Sequence, residues 1–144
     1  MQYQRFQETY LVRMDRGEEI MQSLAALCRQ EEIRLAQVDA IGAADHAVIG
    51  IYDPEEQAYH PEELNCFMEI TSLTGNVTRM NGEPYIHLHA TLADGNHTVH
   101  GGHVTEMQVG ATCEMFVRVI GGEVGREHDD GIGINLWQFR EGGK

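Results

Sequence analysis

From Ala36 onward the chain shows no further helical period. It runs instead as short apolar or β-branched stretches broken by turn residues, and this constrains the fold most. Strand-like stretches fall at Ala36 to Ala43, Ala47 to Tyr52, Phe67 to Thr74, Val77 to Met80 and Tyr85 to Leu92. Others follow at Thr98 to Val104, Cys113 to Ile120 and Ile132 to Phe139. Thr-Gly-Asn, Asn-Gly-Glu-Pro, Ala-Asp-Gly-Asn and Gly-Gly separate several of them as turn signals. Residues 53–65, acidic and proline-bearing, read as a loop or edge. Ahead of this series, Glu8 to Met14 reads as a first strand. Asp15-Arg-Gly-Glu18 then resembles a capping box in which Asp15 caps and Glu18 reaches back. Ile20, Met21, Leu24, Leu27 and Cys28 recur at helical spacing to about Glu32. The expectation is one α+β domain over residues 1–144, a largely antiparallel sheet carrying one main amphipathic helix.

Composition narrows the function classes. An apolar share of 42% and a charged share of 23% are those of an ordinary globular protein. No run approaches the roughly 20 apolar residues of a membrane span, and the first residues lack a signal-like apolar segment, so a cytoplasmic protein is expected. Cys28, Cys66 and Cys113 form no C-x-x-C pair. Each sits among apolar neighbours and reads as a buried thiol in a reducing compartment. The net charge is −13, the nine arginines are scattered, and Lys144 is the only lysine. Such a chain lacks the basic footprint of a duplex-DNA binder.

Five of the eight histidines lie in "YIHLHATLADGNHTVHGGHV", residues 85–104. His87 and His89, two apart on an extended chain, leave the same face. A three-residue loop at 94–96 would set His87 opposite His103; a two-residue Asp-Gly loop would set His89 opposite His100. Opposed residues have Cβ atoms about 5 Å apart, close enough for two imidazoles to share one ion. Either register brings three histidines to one face. Three neutral imidazoles with an open fourth position make a zinc-type site, although such ligands also admit nickel, copper or iron. The competing reading is a solvated hairpin that happens to be rich in imidazole. Gly101-Gly102 signals a bulge or a close backbone approach beside His103. Glu69 and Glu114 stand inside otherwise uncharged strands. Each needs a cation, a backbone donor or the metal, or else a solvent-facing edge. The acids at 53–63 and Glu127 to Asp130 read as solvated loops. No nucleophile elbow, P-loop or dinucleotide fingerprint is present, and no catalytic residue is assigned.

The ordered set "FMEITSLTGNV", "YIHLHATLADGNHTVHGGHV" and "TCEMFV" resembles the PPC domain family (plants and prokaryotes conserved, also written PCC) across nearly the whole chain. The resemblance implies an antiparallel sheet with a packed helix, similar to the fold of acetolactate decarboxylase, a three-histidine zinc enzyme. It also implies a homotrimer. In plants the domain follows AT-hook motifs in nuclear DNA-binding proteins, whereas prokaryotic members are stand-alone and labelled predicted DNA-binding. The His-x-His and Gly-Gly-His elements imply His87, His89 and His103 as metal ligands. His100 lies outside that pattern, which favours the 94–96 loop. The chain departs from the plant members in lacking an Arg-Gly-Arg-Pro core, so the DNA-binding label has no carrier here. The expectation is a stand-alone trimeric protein with a divalent metal, zinc first, and a small-molecule ligand or metal-assisted chemistry. A DNA-associated accessory protein and a structural trimerisation module are the alternatives.

Overall fold

The computed structural model describes residues 1–139. Its elements are β1 (Gln2–Phe6), β2 (Thr9–Asp15), α1 (Ile20–Gln30), β3 (Ala36–Asp53), β4 (Ala58–Leu64), β5 (Met68–Met80), β6 (Glu83–Asp94), β7 (Val99–Val119), β8 (Gly125–Asp129) and β9 (Ile134–Gln138). All nine strands belong to one sheet, and every pairing is antiparallel except a single β5–β8 bridge. The α+β expectation holds, with one helix among the described residues.

Several strands are longer than the sequence suggested, because stretches read as separate are fused. Ala36 to Ala43 and Ala47 to Tyr52 are one strand of 18 residues, and Thr98 to Val104 and Cys113 to Ile120 merge into one of 21. The apparent breaks are register shifts between β3 and β7, at Gly42/Ala44, Ala44/His46 and Val48/Ile49. Such bulges bend a strand without ending it. The bending has a consequence for topology. β6 pairs with β5 on one side and with the start of β7 on the other, so β3, β5, β6 and β7 form a closed circuit of pairings.

The Thr74-Gly75-Asn76 turn signal is likewise inside a strand. A Cβ at Gly75 would lie 1.9 Å from the His87 carbonyl oxygen, so glycine serves a close strand–strand approach there. Asn81-Gly82 is a true hairpin turn. Both residues have positive φ, the signature of a two-residue primed turn, and Met80 pairs with Glu83 across it. The acidic 53–65 stretch holds the edge strand β4, with Pro61 opposite Gly50. Glu127, His128 and Asp129, expected in a loop, lie exposed on β8.

The helix begins later than the capping box implied. Glu19 is its cap, accepting from the Gln22 N–H at 2.6 Å. Glu18 does reach back to the Asp15 N–H (2.7 Å), but it closes a turn that precedes the helix. The helix ends with Glu32 at φ +52° and the Ile33 N–H on the Cys28 carbonyl, a Schellman-type stop. Ile20, Leu24, Leu27 and Cys28 are fully buried against the sheet, in one cluster with Leu73, Val77, Leu88 and Val109. Burial pushes the Cys28 and Cys113 thiols up to about 12. Cys66 departs from the expectation: it is exposed. Among the described residues no helix is long and apolar enough to cross a membrane.

Candidate metal centre

The β6–β7 turn decides which histidines meet. Asp94 organises it: its Oδ1 accepts from the Asn96 and Thr98 N–H groups at 2.8 and 2.9 Å. The Asp94 N–H in turn donates to the Thr98 carbonyl. His97 takes the left-handed conformation (φ +61°) that closes a three-residue loop. The loop is therefore 95–97, one residue beyond the 94–96 loop read from the sequence, and neither anticipated register is correct. The pairing is His89 opposite His103 and Leu92 opposite His100.

A slip of one loop position changes the partner by two residues, which preserves side-chain parity. His103 thus still emerges on the face shared by His87 and His89. The odd-numbered alternative would have flipped that face. His100 lies on the other side, between Asp94 (3.6 Å) and Glu62 (3.5 Å).

The three imidazoles converge. The Nε2 atoms of His87 and His89 are 3.2 Å apart, and the ring centroids of the three residues are separated by 5.0 to 5.5 Å. One nitrogen from each ring falls within 4.8 Å of the others. His103 Nδ1 is buried and has no hydrogen-bond partner. Burial, followed by the neighbouring His103, Arg126 and His89, holds His87 down at about 4. His103 is lowered too, by burial first and then by His89 and Arg126. Both rings are thus neutral at physiological pH, with lone pairs free for a Lewis acid.

Gly101-Gly102 has the close-approach role. A Cβ at Gly102 would come within 2.8 Å of the Gly50 carbonyl oxygen, so glycine lets β7 lie flat against β3 beside His103. Glu69 and Glu114 do not join the histidines. They line a depression on the outer face of the sheet with Ile41 and Thr71. A second group, Asp53, Glu56 and His60, is largely spent on itself: Asp53 accepts from the Glu55 and Glu56 N–H groups, and His60 pairs with Glu56.

Three neighbours of the triad went unnoticed in the sequence. Tyr85 was detectable, since it precedes His87 by two on the same strand face. Tyr59 packs its ring against His103 at 5.0 Å from the neighbouring β4. Arg126, on β8, comes within 3.5 Å of His87 Nδ1. It sits beside an acidic stretch with no local pattern to mark it.

A family model described as the Plants and Prokaryotes Conserved (PCC) domain matches residues 1–121. No curated protein matches the chain. Among solved structures, a metal-containing protein from Archaeoglobus fulgidus is 35% identical with a TM-score of 0.86, over 96% of this chain and 97% of that one. A plant- and prokaryote-conserved protein from Pyrococcus horikoshii is 30% identical, TM-score 0.85, over 97% and 95%. A candidate DNA-binding protein from Bacteroides thetaiotaomicron is 27% identical, TM-score 0.93, over 96% of each. A Staphylococcus aureus protein similar to α-acetolactate decarboxylase shares the fold at TM-score 0.55 and 14% identity, over 81% of this chain and 53% of that one.

Proposed function

The chain belongs to the Plants and Prokaryotes Conserved domain family, and on that premise we propose that it is a homotrimeric protein holding one divalent metal per chain on His87, His89 and His103. The carrying observation is the convergence of three imidazoles, one of them with a buried, unpartnered nitrogen. A buried nitrogen without a partner is costly, and a cation supplies the missing interaction. The donor set fits: nitrogen ligands only, on paired strands, with no protein carboxylate in the group. Zinc is the first choice for such a set. When bound, it supplies Lewis acidity to a water or carbonyl ligand. The chain's own contribution is to keep His87 and His103 neutral and to fix the facing of all three rings by strand pairing. The metal-containing relative from Archaeoglobus supports this reading by analogy.

Trimer formation is supported by an outer sheet face that leaves Leu11, Ile41 and Phe116 exposed, with Leu11 paired directly to Phe116. A cytoplasmic site is in keeping with the free thiols, and a single domain with the continuous sheet of the described residues. The likeness to a candidate DNA-binding protein favours a second reading, a DNA-associated accessory role. A charge of −13 per chain repels phosphates before contact forms, so the metal reading stands ahead. The test is elemental analysis of protein purified without a metal-affinity step. One zinc equivalent per chain is expected; protein that neither carries nor takes up a divalent metal contradicts the proposal.

A further inference from the structure

Arg126 brings to the triad a positive charge that forms no ion pair with any acid among the described residues. Its Nε donates to the Oγ1 of the buried Thr78 (2.8 Å), its Nη1 to the Asn135 carbonyl (2.8 Å) and its Nη2 to Asn76 Oδ1 (3.0 Å). Its guanidinium lies 4.3 Å from the Tyr85 ring centroid. All of these partners are neutral. Among the described residues no ion pair includes Arg126, in a chain with 23 acids. A guanidinium fixed in place and partly desolvated, yet left without a counter-charge, is arranged to receive one from outside.

The tautomer of His87 sharpens the point. Its Nε2 faces the Nε2 of His89, so ligation through Nε2 leaves the hydrogen on Nδ1. Nδ1 then confronts Arg126 Nη2, 3.5 Å away, as donor against donor. Two donors at that spacing can both point to one oxyanion. A divalent cation held there would add its charge to that of the guanidinium with no carboxylate between them, which would favour an anion beside both. Tyr59 packs at a tilt against His103 and Tyr52 against Tyr59, each at 5.0 Å, giving an aromatic flank that suits an organic body.

We propose that Arg126 and His87 form an anion subsite beside the histidine triad that takes the carboxylate of a small organic acid. This deepens the metal reading and rests on it. Arg126, on β8, lies beyond residues 1–121, the part the family model matches, whereas His87, on β6, lies within it.

The test uses the full-length, zinc-loaded protein, titrated calorimetrically with benzoate, its neutral isostere benzamide, and inorganic phosphate. Benzoate is expected to bind at least about tenfold more tightly than benzamide and more tightly than phosphate, as loss of a charge-assisted hydrogen bond implies. Arg126→Gln is expected to keep one zinc per chain and to lose benzoate affinity by about tenfold or more. Arg126→Lys, with charge but no fork, should fall between. Equal binding of benzoate and benzamide, an unchanged Arg126→Gln, or phosphate binding more tightly than benzoate overturns the inference. Should Arg126→Gln fail to fold, the benzoate–benzamide comparison on the wild type decides. Zinc-loaded protein indifferent to benzoate removes this inference alone, whereas wild-type protein that takes up no metal removes the metal reading and this inference together.

Discussion

His89 and His103 face each other as direct partners across β6 and β7, with ring centroids 5.5 Å apart. Strand alternation adds His87 to the same face, so the triad follows from backbone pairing and not from any flexible loop. Rigid strands hold ligand geometry better than loops, which suits the proposed metal site.

The pairing around His87 should be intolerant of bulk. At Gly75 a Cβ would meet the His87 carbonyl at 1.9 Å, backbone against backbone. Gly75→Ala is expected to cost about 2–3 kcal/mol by forcing β5 and β6 apart. Gly121→Ala, with nothing within 4 Å, should stay within about 0.5 kcal/mol of wild type. Urea denaturation of both variants checks this.

What the sequence revealed, and what it hid, follows from the range of each signal. The helix was visible because its buried stripe repeats locally, and the histidine face because alternation has a period of two. The loop position was not, because Asp94-Gly95-Asn96 is a turn signal in either placement. Only His97 adopting a positive φ selects 95–97, and a non-glycine residue does not advertise that. The fusion of β3 and of β7 was hidden because a bulge mimics a break. Arg126 was hidden because its contacts with Asn76, Thr78 and His87 span 39 to 50 residues of sequence.

The helix cap gives a second prediction. Glu19 accepts from the Gln22 N–H and also from the Met107 N–H (3.1 Å), tying the helix start to β7. Glu19→Ala is expected to lower stability by about 1 kcal/mol, the typical loss for a cap. The denaturant midpoint of the variant against wild type measures it.

Acid should weaken the metal-free protein through His87. Its folded pKa of about 4 lies below the ordinary histidine value near 6.5. Between these values the unfolded chain binds more protons, so stability rises with pH across that window and falls as pH drops toward 4. His87→Gln should flatten this dependence. Unfolding midpoints of metal-free protein from pH 4 to 7, for wild type and variant, provide the comparison. A steeper slope in the variant would count against the assignment.

The exposed outer face should be the trimer contact. Phe116→Arg places a charge amid Leu11 and Ile41 and is expected to yield monomers by light scattering at micromolar concentration. Wild-type protein that is already monomeric there would refute the assembly.

The most direct measurement is metal content of His103→Ala beside His100→Ala. His103 stands with the triad, and His100 lies on the other side of the sheet, paired to Asp94 and Glu62. Purified in parallel and equilibrated with equimolar zinc, His103→Ala is expected to lose nearly all bound metal while His100→Ala keeps one equivalent per chain. If His100→Ala loses the metal and His103→Ala retains it, or if both retain it, the three-histidine centre is contradicted.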